Sequence, residues 1–325
     1  MAESPKNLFR LACDPADTTW DHAEGWPYLL DALHDLIDPA SPVVFDDAIE
    51  RSFTFYREKW RMPDPFTAWF SVSHYPPDLP AWYNPDCKLL GTVTHLPPWQ
   101  ARLDKLRFTI VLSSTAADYI REVTGKPVVV LKYPTGYADV QQWEPDRFIP
   151  NLMQVGWFLR DTTAIYRVNA PAFQKIRLTG MRREWVQRSH ERCQQHLPQS
   201  KQIGDVAEVS WLSNAQYDTI LSTGVVFSHF ITVAASTMVG ECVARATPLL
   251  TNRHPALEEY LGKGYPLFYD SFDQIPDMLT PDRVIAAHEH MKKMDRSWTN
   301  VANFREGLVS ACLKHIPELR ERLDI

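Results

Sequence analysis

Two spacings of apolar residues take turns along this chain. Short apolar runs of strand length end in glycine or small polar residues. Between them lie stretches with an apolar residue every three or four positions, the period of a helix with one buried face. Residues 8–13 read as a first short strand, with a loop at Asp14, Pro15, Ala16 and Asp17. Residues 25–37 carry Trp26, Leu29, Leu30, Leu33 and Leu36 on one helical face. Residues 43–45 read as a strand, and residues 66–73 as a buried strand that delivers His74 at its C-terminal end. Residues 108–113 form another strand, after which Ser113 and Ser114 are placed to cap a helix over 115–123. Residues 128–131 are the next strand, and the loop-rich stretch from Tyr133, Pro134, Thr135 and Gly136 to Pro150 marks a crossover.

A second alternation follows, with a strand over 152–156 that ends in Gly156 and a segment over 176–178 that fits strand or helix. A helix over 217–222, a strand over 224–228, a helix from Ser236, a strand over 248–251 and closing helices over 284–296 and 297–323 complete it. Strands alternating with helices predict open parallel α/β sheets, and 325 residues suit two of them. The expected domains are 1–145 and 146–305, with 306–325 as a C-terminal helix packing back on the first. Ligands of such sheets bind beyond the carboxyl ends of the strands. His74, Ser113, Gly156, His229 and Asn252 all stand at such ends.

Composition removes several alternatives. With 45% hydrophobic and 23% charged residues the chain is globular. No apolar run reaches the roughly 18 residues of a membrane span. Residues 1–6 lack the apolar core of a signal peptide, and Cys13, Cys87, Cys193, Cys242 and Cys312 contain no CxxC pair. These features fit reduced thiols in a cytoplasmic protein and oppose a zinc site. A net charge of −6 argues against a protein that coats nucleic acid. The basic run Lys175, Arg177, Arg182, Arg183 and Arg188 reads as a solvated helix face. Tryptophan and proline crowd the stretch from Trp60 to Trp99, including Trp69, Trp82, Pro63 and Pro85. Rigid aromatic loops of this kind suit sugar binding, although core packing is the ordinary role of any single tryptophan.

The segment 234–253, AASTMVGECVARATPLLTNR, carries the most chemistry. Small residues and hydroxyls (Ala235, Ser236, Thr237) open a helix, Glu241 sits one turn in, and Thr247-Pro248 ends it before an apolar strand. A helix N-terminus presents backbone N–H groups and a positive dipole end to an anion, and small side chains let a phosphate approach. Glu241 can accept hydrogen bonds from ribose hydroxyls. The combination predicts a nucleotide-diphosphate site.

Residues 241–253 (ECVARATPLLTNR) and 259–266 (EYLGKGYP) resemble the nucleotide-sugar half of GT-B glycosyltransferases, closest to a viral and fungal group. Weaker matches at 72–77 (VSHYPP), Leu112-Ser113 and 155–160 (VGWFLR) lie in the expected order. The resemblance implies an α/β fold of two Rossmann-like domains whose parallel sheets face a central cleft. It implies Glu241 on the donor ribose, and Ala235, Ser236 and Thr237 cradling the diphosphate. It implies Arg160 neutralising the leaving diphosphate and His74 near the transferred sugar. Gly156, Asn252 and Arg253, at strand ends, complete the expected donor site. Tyr217 and Trp211 read as core, with Trp211 also placed to flank the base. Related retaining enzymes often carry a first glutamate eight residues before the second, where this chain has Val233.

The expected activity is metal-independent transfer from a nucleotide-sugar co-substrate, such as a UDP- or GDP-sugar, with no other cofactor. The acceptor candidates are a glycan, a small molecule or a hydroxymethylated DNA base. Two alternatives stand beside it: a sugar-nucleotide epimerase of the same fold, and a non-catalytic binding module that retains the fold.

Overall fold

The computed structural model describes residues 6–12, 26–55, 64–83, 90–135, 140–179, 183–199 and 201–322. The loop at 14–17, Cys13, Trp60, Pro63, Pro85, Cys87, Gly136 and Arg182 lie outside them. The chain forms two compact units, residues 1–136 with 300–325, and residues 137–299. Residues 137–145 thus belong to the second unit and 300–305 to the first.

The first unit runs β1 (Arg10–Leu11), α1 (Trp26–Ala32), β2 (Val43–Asp46), β3 (Ala68–Ser73), α2 (Leu90–Val93), α3 (Pro97–Leu103), β4 (Leu106–Val111), α4 (Ala117–Thr124) and β5 (Val128–Val130). Its strands are parallel, in the order β1-β2-β3-β4-β5. A ladder of phenylalanines crosses the sheet. Phe9 meets Phe45 edge-on at 5.2 Å, Phe45 stacks on Phe70 at 4.7 Å, and Phe70 stacks on Phe108 at 4.8 Å. Cross-strand aromatic pairs stabilise a sheet beyond the area they bury. The apolar face read over 25–37 is buried, but α1 ends at Ala32 and a 3-10 turn over His34–Leu36 carries the rest. The Ser113 side chain does not cap the next helix: its Oγ meets Thr115 Oγ1 at 2.8 Å, a 3-10 turn intervenes, and α4 follows. Gly125, at φ +64, closes α4 by donating its N–H to Arg121 O at 2.8 Å.

The second unit runs β6 (Asn151–Gln154), α5 (Ala164–Arg167), β7 (Gln174–Leu178), α6 (Arg183–His196), β8 (Val206–Val209), α7 (Asn214–Thr223), β9 (Val225–Ser228), α8 (Thr237–Arg245), β10 (Leu249–Asn252), α9 (Pro255–Leu261), β11 (Phe268–Tyr269), α10 (Ile275–Met278) and α11 (Pro281–Lys293). All neighbours are parallel, in the order β8-β7-β6-β9-β10-β11. From β6 the chain works outward to β8, then returns to the other side of β6 to start β9. The carboxyl ends of β6 and β9 flank that reversal, the place where doubly wound sheets take their ligands. Among the described residues the first sheet has no such reversal.

The segment left open over 176–178 is strand β7, and the basic run is not one solvated face. Lys175 and Arg177 point to the same side of β7 and are buried. Lys175 Nζ donates to the carbonyls of Ile165 (3.3 Å), Val168 (3.1 Å) and Ile203, and burial lowers its pKa. Arg177 pairs with Glu208 at 3.1 Å. Trp211 is 56% exposed rather than core. The closing stretch 297–323 is not one helix: a 3-10 turn precedes α12 (Val301–His315), and Pro317 starts α13 (Pro317–Arg322). Proline lacks the N–H an unbroken helix needs and disfavours helical backbone at Ile316. These helices belong to the first unit, where His315 packs on Phe108 at 5.5 Å and Arg305 bonds Asp35 at 2.6 Å. No described helix is long and apolar enough to cross a membrane.

Candidate functional site

The chain leaving β6 starts at the strand-order reversal. Gly156 has φ +77, and a Cβ there would stand 3.0 Å from Cζ and Nη1 of Arg160. Glycine therefore meets two demands at once, a left-handed backbone and room for a guanidinium. Arg160 forms an isolated antiparallel bridge with Phe230, just after β9, so the two post-strand loops are joined. Its guanidinium is held on every side. Nε donates to Ser228 Oγ at 3.1 Å, Nη1 to Phe158 O at 2.8 Å, and Nη2 to Ser236 Oγ at 2.7 Å, while the Phe230 ring lies 4.8 Å from Cζ. The residue is 7% exposed. A planar cation fixed in this way loses little freedom on meeting an anion.

Ser236 is the link to α8. Its backbone is extended and its carbonyl accepts the N–H groups of Val239 (3.1 Å) and Gly240 (3.2 Å), but its side chain makes no capping bond. The hydroxyl serves Arg160 instead. The cation thus lies beside the helix turn whose first N–H groups have no intrahelical acceptor. Ala235 and Ser236 are half-buried and Thr237 is exposed. The helix stops at Ala246, at φ +55, and Thr247 turns its N–H to Cys242 O (2.8 Å) and its hydroxyl to Leu221 O (2.6 Å).

Glu241 is 5% exposed, and its Oε2 accepts the Tyr217 hydroxyl at 2.6 Å. Tyr217, read from the sequence as core, thus reaches the expected ribose carboxylate; a tyrosine on an adjoining helix gives no sequence signal of that pairing. Asn252 has a different engagement: Oδ1 accepts Phe230 N (2.7 Å) and Nδ2 donates to Phe230 O (3.0 Å), so its amide holds the loop that carries Phe230. Arg253 extends to Glu258 at 2.8 Å and Asp270 at 3.4 Å, over the Phe268 ring. Gly156, Arg160, Ser228, Phe230 and Ser236 are therefore drawn together. Ser228 and Phe230 were not singled out in the sequence, because a strand-end serine and an aromatic are common core residues. His229, next to them, pairs with the Tyr269 hydroxyl at 2.8 Å, and burial lowers its pKa to about 4.

His74 stands in the first unit, just after β3. Glu50 Oε1 accepts Ser73 Oγ (2.6 Å), His74 N (2.9 Å) and Tyr75 N (3.0 Å), which fixes the turn. The ring Nε2 lies 2.8 Å from Asp47 O and therefore carries the proton, and Trp26 meets the ring edge-on at 4.8 Å. Among the described residues no three His, Cys, Asp or Glu side chains are grouped to hold a metal ion.

Solved structures of similar fold are numerous. A UDP-forming trehalose-phosphate synthase from Burkholderia xenovorans is 12% identical with TM-score 0.51, matching 88% of this chain and 76% of its own. A sucrose-phosphate synthase from Thermosynechococcus elongatus is 13% identical with TM-score 0.52, matching 91% and 77%. The N-terminal domain of a Candida albicans trehalose-6-phosphate phosphatase is 10% identical with TM-score 0.55, matching 89% and 75%. The chain has the GT-B fold. Its structural neighbours include glycosyltransferases. No family model and no curated protein matches the sequence, so the likeness to the viral and fungal group rests on the motif alone.

The crowding at Gly156 gives a direct test. Gly156→Ala is expected to destabilise the fold by about 1 kcal/mol through its left-handed backbone. It is also expected to displace the Arg160 guanidinium; for the nucleotide-diphosphate site expected from the sequence, that means an affinity at least about ten-fold lower in titration calorimetry. Unchanged affinity would show that the guanidinium position does not matter.

Proposed function

We propose that this protein transfers a sugar from a nucleotide-sugar donor, such as a UDP- or GDP-sugar, to an acceptor hydroxyl without a metal ion. One observation carries the reading: at the strand-order reversal of the second sheet, the Arg160 guanidinium is bonded to the serine that opens α8. Negative charge grows on the diphosphate as the sugar–oxygen bond breaks. A fixed cation and a helix N-terminus aimed at that charge stabilise the transition state more than the ground state. Glu241 takes the ribose hydroxyls, and Ala235, Ser236 and Thr237 let the phosphates reach the helix. Gly156 gives Arg160 its space, and Asn252 supports the site through Phe230. Arg253 is the candidate for reaching the donor from the β10 end. In the first unit His74 orients the sugar or takes a proton through Nδ1, the ring nitrogen not bonded to Asp47 O.

Glycans, small molecules and hydroxymethylated DNA bases are the acceptor candidates, and a net charge of −6 disfavours the last. A protein acting on internal nucleotide-sugar pools would work in the cytoplasm. Titration calorimetry with ADP, GDP and UDP tests the donor half. One of them is expected to bind, and Glu241→Ala to weaken it about ten-fold or more. No binding, or full affinity in the variant, overturns the proposal. The non-catalytic alternative is favoured by one observation: Val233 is 1% exposed within the apolar core, where related retaining enzymes carry a carboxylate. Sugar transfer or donor hydrolysis, followed by mass spectrometry, removes that alternative.

A further inference from the structure

Helix α7 is tied to α8 and to the turn after it by three contacts. Tyr217 bonds Glu241 at 2.6 Å, Asp218 pairs with Arg245 at 2.5 Å, and Leu221 O accepts the Thr247 hydroxyl at 2.6 Å. The start of α7 is itself fixed by a capping box: Ser213 Oγ accepts Gln216 N at 3.3 Å and Gln216 Oε1 accepts Ser213 N at 3.0 Å. Tyr217 is the next residue along.

Glu241 and Arg245 are four residues apart on α8, the spacing at which a carboxylate and a guanidinium on one helix normally pair. Here the guanidinium, fully buried, goes to Asp218 of α7. Glu241 is left with a neutral phenol donor on one oxygen. A carboxylate has about four acceptor positions, and one hydroxyl leaves the others open. We infer that Tyr217 is a positioning residue: by anchoring Glu241 Oε2 it holds the carboxylate ready for the ribose hydroxyls, and so sets the preference of the site for ribose over deoxyribose. The inference rests on the donor reading above.

Without the phenol bond the Glu241 side chain must lose rotamer freedom when the nucleotide binds, and that loss falls only on ligands carrying ribose hydroxyls. The diphosphate, met by Arg160 and the start of α8, does not depend on Tyr217.

The experiment measures Kd for the tightest-binding ribonucleoside diphosphate and for its 2′,3′-dideoxy counterpart, in the wild type, Tyr217→Phe, Glu241→Ala and the double variant. The wild type is expected to prefer the ribo form by about 10- to 100-fold, the range for hydrogen bonds to a charged group. Tyr217→Phe is expected to reduce that preference about ten-fold or more while leaving dideoxy affinity within about two-fold. In the Glu241→Ala background the same change is expected to leave the preference unaltered. A purely structural tyrosine would weaken both nucleotides alike and keep the preference, which would overturn the inference while leaving the donor reading in place. If the wild type binds neither form, the donor reading falls and takes this inference with it.

Discussion

Arg160→Ala is expected to lower nucleoside-diphosphate affinity about 100-fold, the loss expected where a guanidinium gives a bound phosphate two charge-assisted hydrogen bonds. The guanidinium is fixed by Ser228, Phe158 and Ser236 before any ligand arrives, so little of its binding energy is lost to ordering. Arg160→Lys keeps the charge but cannot bridge two serine hydroxyls in the same plane, so it is expected to recover only part of the affinity. The alanine variant also removes a 7%-exposed side chain, and its melting temperature must be read beside its affinity. A folded Arg160→Ala protein that binds as tightly as the wild type would remove the cation from the site. A drop in sugar-transfer rate larger than the drop in affinity would place its main effect on the departing diphosphate.

Much of the candidate site is legible in the sequence because its signals are local. Gly156 ends an apolar run, the Ala-Ser-Thr opening of α8 carries helix-start chemistry, and Thr247-Pro248 announces the stop. The resemblance then supplied the order of those pieces along the chain. What was not readable depends on partners distant in sequence. Lys175 and Arg177 alternate with apolar residues on β7, and two cations there suggest solvent. They are buried because Ile165, Val168 and Ile203 carbonyls and the Glu208 carboxylate happen to surround them. Tyr217 and Asn252 gave a similar difficulty. Each is a polar side chain whose meaning comes from a partner on another element, Glu241 for Tyr217 and the Phe230 backbone for Asn252. The strand order of the second sheet, which puts β6 beside β9, is likewise absent from any local pattern.

Acidity should affect the two units in opposite directions. Asp46, the last residue of β2, is fully buried; Oδ1 accepts Ser52 Oγ at 2.8 Å and Ala48 N at 3.3 Å, while Oδ2 has no hydrogen-bond partner among the described residues. Burial, helped by the neighbouring Asp47 carboxylate, pushes its pKa from 3.8 up to about 7. Below pH 3.8 both folded and unfolded chains hold this proton. Between there and about 7 the unfolded chain releases it and the fold keeps it, so stability falls as pH rises, by up to ~4 kcal/mol. His229 behaves in reverse: burial lowers its pKa from 6.5 to about 4. Its contribution is present above pH 6.5 and is lost as pH falls through 4, by up to ~3 kcal/mol, because the unfolded chain takes the proton first. The two slopes oppose each other over one pH window, and the net charge gives no hint of either. Asp46→Asn mimics the protonated acid. Urea unfolding should find it close to wild type at pH 4 and more stable by up to ~4 kcal/mol at pH 8. Amide exchange should show that gain in β2 and β3. An equal effect at both pH values would mean that Asp46 titrates in the fold as it does in the unfolded chain, and would overturn the prediction.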